Sequence, residues 1–308
     1  MSATPAQIAE GVAHLPVSIA NVYFVGSCGS PWVLIDSSLP GNARKILEAA
    51  ELLYGAGARP DAILLTHGHY DHAGSALDLA NLWDVPIYAH RLELPYLSGK
   101  SPYPPIDPTA PGFMAFLGRF LPARTVNIRA RVRPLPAGGE IPGMPGWQCH
   151  HTPGHAPGHV AFFRPTDATL IAGDAITTMN TDNLFDALRK RKQICGPPTP
   201  VTYDWTAALD SVRLLASLRP LTIAAGHGNP MIGPEASDEL SDFAANITPP
   251  LRGRYVHQPA RTGETGIVAL PPKPSDPIPG IAAAVGVATI AGAMFAVAAH
   301  RRKKHSER

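Results

Sequence analysis

Residues 61–74 read DAILLTHGHYDHAG. Asp61 to Thr66 is a short apolar run of the kind found in a strand buried on both faces. His67, His69, Asp71 and His72 then fall within six residues, with Gly68 between the first two. Glycine allows the tight backbone that turns neighbouring side chains toward one point at a strand's end. Imidazole and carboxylate together suit Zn²⁺, and also Fe, Mn or Co. Histidine at this density reads as part of a metal site rather than a solvated loop.

Outward from this run, strands alternate with helices. Val17 to Val25 and Pro31 to Asp36 read as strands, joined by a turn from Gly26 to Ser30. Gly41 to Tyr54 has helical spacing, with Ile46, Leu47, Ala50 and Leu53 on one face. Ala73 to Leu82 resumes that spacing, and Val85 to Ala89 is strand-like. Further strands are expected at 147–151, 159–163, 169–172 and 221–225, and helices at 204–218 and 234–246. The alternation predicts an α/β layered fold. It breaks at Ser101 to Arg124, where five prolines precede the apolar run Phe113 to Leu121. This segment and Leu184 to Pro200 read as insertions that wall a substrate pocket. Phe113 and Phe116, together with Tyr70 inside the histidine run, are the candidate substrate contacts.

Three more clusters follow. TPGHAPGH at 152–159 places His155 at the apex of a rigid turn. His150, His151 and His159 read as strand-edge or supporting residues, so His159→Ala should spare most activity. Asp174 follows the apolar strand end IAG, and His227 stands between glycines after the last strand. In this order the clusters resemble the metallo-β-lactamase superfamily: HxHxDH, a TPGH-type turn, a GD strand end and a final His. The likeness runs from about residue 10 to 248. It implies an αββα sandwich with the metal site at one edge. It further implies that His67, His69 and His155 hold one divalent metal, that Asp71, His72 and His227 hold a second, and that Asp174 bridges them. Zn is expected, with Fe or Mn as alternatives. A hydroxide between the metals would cleave an ester, lactone or thioester of a small-molecule substrate. Asp71 would be the catalytic carboxylate that orients it or relays its proton.

Asp174 stands where the commonest β-lactamases carry Cys, which argues against antibiotic hydrolysis. The 52 residues between Asp174 and His227 leave no room for an added nuclease domain. The layout looks most like the glyoxalase II and acyl-homoserine lactonase group. A Pro-rich stretch nevertheless stands where glyoxalase II has its glutathione-binding helices. Two other classes stay open: an iron-dependent enzyme similar to persulfide dioxygenases, and a membrane-tethered, non-catalytic binding protein.

Of the net charge of +2 over 308 residues, the last nine contribute +4, so the rest is slightly acidic. A nucleic-acid partner is therefore not expected. Three cysteines without a CxxC pair read as reduced thiols. The hydrolase domain is expected to span 1–248, followed by a Pro-rich tether at 249–277. Residues 277–299 form a 23-residue stretch without charge, expected to hold one transmembrane helix at 278–299 before a basic tail at 300–308. Gly280, Ala284, Ala288, Gly292 and Ala296 would give that helix a smooth face for homodimer pairing. No Lys or Arg precedes Arg44, so a charged signal sequence is not expected and the hydrolase domain is placed on the cytosolic side of the membrane.

Overall fold

The computed structural model describes residues 4–118, 126–183, 186, 189 and 191–274. Strands β1 (Ala6–Ala9), β2 (Val12–Val17), β3 (Ala20–Val25), β4 (Val33–Ile35), β5 (Ala62–Leu64), β6 (Ile87–Ala89) and β7 (Val132–Pro134) form one sheet in that order. Pairing is antiparallel from β1 to β4 and parallel from β4 to β7. Strands β8 (Gln148–His151), β9 (Val160–Arg164), β10 (Thr169–Gly173), β11 (Thr222–Ala225) and β12 (Met231–Ile232) form a second sheet, with only β10 and β11 parallel. A small hairpin joins β13 (Arg261–Gly263) to β14 (Gly266–Ala269).

Alternation along the strands builds the layers. Val33 and Ile35 of β4, with Ala62 and Leu64 of β5, face Val160, Phe162, Ile171 and Ala224 of the second sheet. Leu34, Ile63 and Leu65 point the other way, under helices α1 (Ala43–Tyr54) and α3 (Ala76–Trp83); the short α2 (Tyr70–Ala73) lies between these helices in the chain. Two further short helices follow, α4 (Leu94–Leu97) and α5 (Phe113–Gly118). On the far side, Ala161, Phe163, Leu170 and Ile223 pack beneath α6 (Trp205–Ser217) and α7 (Pro234–Asn246). The order is helix, sheet, sheet, helix, the αββα sandwich.

Three local expectations are corrected. Val17 to Val25 is not one strand: Val17 ends β2 and pairs with Ala20 at the start of β3, and Ser18 adopts φ +59° in the turn, so the hairpin spans Val12 to Val25. The helix expected over Ala73 to Leu82 is divided between α2 and α3 at Gly74 and Ser75. There Ser75 Oγ accepts the Asn42 N–H at 3.1 Å, and a Cβ on Gly74 would stand 2.3 Å from Pro40. The chain after Thr248 is not a free tether. The compact unit runs to Pro272. Tyr255 is buried and donates to the Pro105 carbonyl at 2.7 Å, while Arg254 donates to that of Pro271. Ser101 Oγ accepts the Ile267 N–H at 3.2 Å. The expected transmembrane helix at 278–299, its small-residue face and the basic tail lie outside the described residues. Among the described residues no helix is long and apolar enough to cross a membrane.

Candidate metal centre

The histidine run begins where β5 ends. Thr66 anchors that exit, its N–H and hydroxyl both donating to the Asp36 carboxylate at 2.8 Å. Across the sandwich, the Thr66 carbonyl accepts the Val160 N–H at 2.9 Å, which ties β5 to β9. His69 precedes α2, and Asp71 and His72 lie within it. The turn before β9 carries His155, the end of β10 delivers Asp174, and the end of β11 delivers His227.

All seven side chains named from the sequence converge. The groups His67–His69–His155, His67–His72–Asp174 and Asp71–His72–His227 each bring donor atoms within 4.8 Å of one another. His67 Nε2 lies 3.1 Å from His69 Nδ1 and 3.3 Å from His155 Nε2. Asp174 Oδ2 lies 3.1 Å from His227 Nε2, 3.5 Å from His72 Nε2 and 3.6 Å from His155 Nε2. Asp71 Oδ2 stands 3.4 Å from His227 Nε2 and 3.9 Å from that of His72. Asp71 is about a quarter exposed, whereas Asp174 is buried.

Outer partners orient several rings, the role such groups play around a metal. His72 Nδ1 donates to Asp36 Oδ2 at 2.9 Å, and His227 Nδ1 to the Ile19 carbonyl at 2.7 Å. Thr66 gives its hydroxyl proton to Asp36, so its oxygen accepts from His67 Nδ1 at 3.1 Å. Each of these three rings therefore turns Nε2 to the centre. His72 Nε2 and Asp174 Oδ1 are buried and find no hydrogen-bond partner among the described residues. Such orphaned groups cost about 1–3 kcal/mol each. Divalent cations would satisfy them, and the nitrogen and carboxylate donor set suits Zn, Fe or Mn.

Charge divides the cluster. Burial, followed by repulsion from neighbouring imidazoles, holds His67 and His155 well below the usual histidine range. Burial lowers His69 to about 4. At His72 and His227 burial again disfavours the charge, but the carboxylates of Asp174 and Asp71 outweigh it. His72 is raised, and His227 reaches about 9. Burial pushes Asp174 up, yet His227 and His72 hold it well below the carboxylate range.

The remaining sequence candidates are placed as follows. His159 is buried beside the cluster, its Nε2 accepting the Asp174 N–H at 2.9 Å. His151 bonds the Pro157 carbonyl and stacks on His90 at 4.3 Å. Tyr70 is half-buried and packs against the core under α1 and α3. Phe113 and Phe116 lie half-buried on α5. The Phe113 N–H donates to the Asp182 carbonyl at 2.9 Å, and Asp107 N–H to that of Pro200 at 2.8 Å, so the two expected insertions touch.

Sequence reasoning missed Asp36, Asn21, Glu93, Tyr103 and Tyr203. Asp36 follows a strand end, as Asp174 does, and that was its one available signal. Asn21 Nδ2 donates to the Ala225 and Gly228 carbonyls at 2.9 and 2.6 Å, cradling the His227 loop from 204 and 207 residues away in sequence. The Tyr203 hydroxyl stands 3.4 Å from His69 Nε2.

A sequence profile described as the metallo-beta-lactamase superfamily matches residues 15–227. The chain is 38% identical over 245 residues to "Probable metallo-hydrolase YflN" of Bacillus subtilis (strain 168), a match covering 79% of this chain and 93% of the relative. It is 28% identical over 184 residues to a hydroxyacylglutathione hydrolase of Synechococcus sp. (strain WH7803), covering 57% and 58% respectively. Among solved structures, the BLEG-1 B3 metallo-beta-lactamase has a TM-score of 0.53 at 23% identity, covers 73% of this chain and 95% of its own, and is alike in fold. Because the matched span runs from β2 through both sheets to His227 and takes in every converging side chain, this two-metal protein belongs to the metallo-beta-lactamase superfamily.

Proposed function

We propose that the chain hydrolyses an ester, lactone or thioester of a small molecule. In this reading His67, His69 and His155 hold one divalent cation, Asp71, His72 and His227 hold the other, and Asp174 reaches both. The observation that carries it is Asp174 Oδ2, which faces nitrogens of both groups at 3.1 to 3.6 Å. When bound, two such cations lower the pKa of water toward neutrality and polarise the acyl oxygen. Zn is the first choice for this donor set, and Fe or Mn the next.

The chain's own residues divide the remaining tasks. Buried His67, His72 and His155 close the inner side of the site to bulk water. Asp71 is the more exposed carboxylate, so it orients the attacking water and takes its proton. Phe113 and Phe116 supply an apolar wall for the acyl group. Relatives named hydroxyacylglutathione hydrolases favour the thioester among the substrate classes.

Zn-loaded protein assayed on lactones, thioesters, β-lactams and phosphodiesters is expected to turn over a lactone or thioester. Chelation and Asp71→Ala should each remove that activity, by about 10³-fold or more for a loss of several kcal/mol. Phe116→Ala should raise KM or change preference without lowering the melting temperature. Turnover of phosphodiesters alone, or none with two metals bound, would overturn the reading.

A further inference from the structure

Glu93 stands outside the metal cluster, at the end of the 3₁₀ turn Arg91–Glu93 that follows β6. Both its oxygens nevertheless end on loops that carry cluster residues. Oε2 accepts the Gly68 N–H at 2.8 Å, and Oε1 accepts the Gly158 N–H at 2.7 Å. Gly68 separates His67 from His69, and Gly158 follows His155 by three residues. The two loops belong to opposite sheets, one leaving β5 and the other entering β9. Tyr103 completes the arrangement: its hydroxyl donates to Glu93 Oε2 and accepts the Gly68 N–H at 3.0 Å. Its ring meets that of His69 edge-on, with centroids 4.5 Å apart.

Glu93 is fully buried and forms no ion pair among the described residues. A carboxylate taken from water is costly unless donors satisfy it. All three of its donors tie it to the two loops or to the ring against His69. The packing leaves little slack, since a Cβ at Gly68 would stand 2.6 Å from the Tyr103 hydroxyl and one at Gly158 2.9 Å from the Glu93 backbone nitrogen. The rings of His72 and His227 have orienting partners of their own, Asp36 and the Ile19 carbonyl.

Building on the ligand assignment above, we propose that Glu93 is a positioning residue that sets the spacing of the His67–His69 loop from the His155 turn, and thereby the affinity of that metal group alone. Cobalt(II) titration of the metal-free full chain tests this, followed by absorption and equilibrium dialysis. The wild type should take up two equivalents. Glu93→Gln keeps the shape but turns an amide NH₂ toward one backbone N–H. It should weaken one equivalent about 10- to 100-fold, the usual effect of losing a group that orients metal ligands. The weakened equivalent should be the one that His69→Ala removes and Asp71→Ala spares. Equal weakening of both equivalents, or unchanged affinities with a lower melting temperature, would overturn the proposal. If Glu93→Gln does not fold, Tyr103→Phe is read in the same titration: selective weakening supports the proposal, and unchanged affinity overturns it. A folded wild type that takes up fewer than two equivalents would overturn the ligand assignment itself.

Discussion

His159 Nε2 accepts the backbone N–H of Asp174, so the ring proton sits on Nδ1 and is donated to the Thr152 hydroxyl at 2.7 Å. From its place in the chain the residue reads as a strand-edge or supporting group, and it is buried against the end of β10, where it holds the Asp174 backbone. His159→Ala should lose about 1–3 kcal/mol in urea unfolding, the cost of stranding a buried donor, and should lower metal content. An unchanged urea midpoint would contradict this. Protons also compete with metal at this scale. His227 is lifted to about 9 by Asp174 and Asp71 against the opposing effect of burial. Below that pH the metal-free centre holds a proton that a cation must displace, so Zn affinity should rise with pH up to about 9. Binding near pH 7 should release protons. Calorimetric enthalpies in two buffers of different ionisation heat should differ; equal enthalpies would refute the linkage.

At the scale of elements, the site lies at the carboxyl ends of strands. Asp36 follows β4 and His67 follows β5, which are parallel neighbours; Asp174 and His227 follow the parallel pair β10 and β11. Parallel strands deliver their ends to one edge, where ligand sites of α/β sheets gather. Gly226 shows how tightly that edge is built. A Cβ there would stand 2.0 Å from Asp174 Oδ1 and 2.7 Å from His72 Cε1. Its N–H is tied to the Gly173 carbonyl at 2.8 Å, so the backbone has little room to yield. Gly226→Ala should bind fewer than two metals per chain and lose at least about tenfold in activity, a cost of about 1.4 kcal/mol, while keeping its far-UV circular dichroism. Full metal content in that variant would show that the loop can move. Strands β3 to β6 and β8 to β11 were legible from apolar runs, but β1, β2, β7, β12 and the β13–β14 hairpin were not, and neither was the β2–β3 turn. Ser18 and Ile19 lack the Gly, Asn or Asp that usually marks a two-residue hairpin.

For the whole molecule, the chain beyond α7 returns to the site's outer wall. The Ala260 N–H donates to the Tyr203 carbonyl at 2.9 Å, and Tyr255 meets Tyr203 edge-on at 5.5 Å. Tyr203 in turn faces His69. A chain truncated after Thr248 should therefore be less stable by several kcal/mol than one truncated after Pro274, in the range of losing a buried aromatic side chain. Equal melting temperatures for the two forms would show that this strap contributes nothing. The charge-free run at 277–299 carries a separate expectation from sequence, a single membrane span. Full-length protein should stay in the membrane fraction through a carbonate wash and be released by detergent; release by carbonate would rule the span out.

The chemistry of the centre was written locally. A loop leaving a strand can hold several donors within a few residues, so HGHYDH, the His155 turn, the GD strand end and the last histidine could each be found by composition and order. Strand alternation likewise announced an α/β layered fold, and the order of the four clusters carried the resemblance to the family. The groups that hold the donors in place were not written locally. Asp36 meets His72 across 36 positions, Glu93 meets Gly68 across 25 and Gly158 across 65, and Asn21 meets Gly228 across 207. Such pairs depend on strand register and on how one sheet stacks on the other, and neither leaves a local pattern. The prolines after Thr248 misled for the same reason: they rule out helix continuation, but whether the resulting extended chain stays free or packs depends on the surface it meets. Here that surface is built by Ser101, Pro105 and Tyr203, and it existed only once the sandwich had folded.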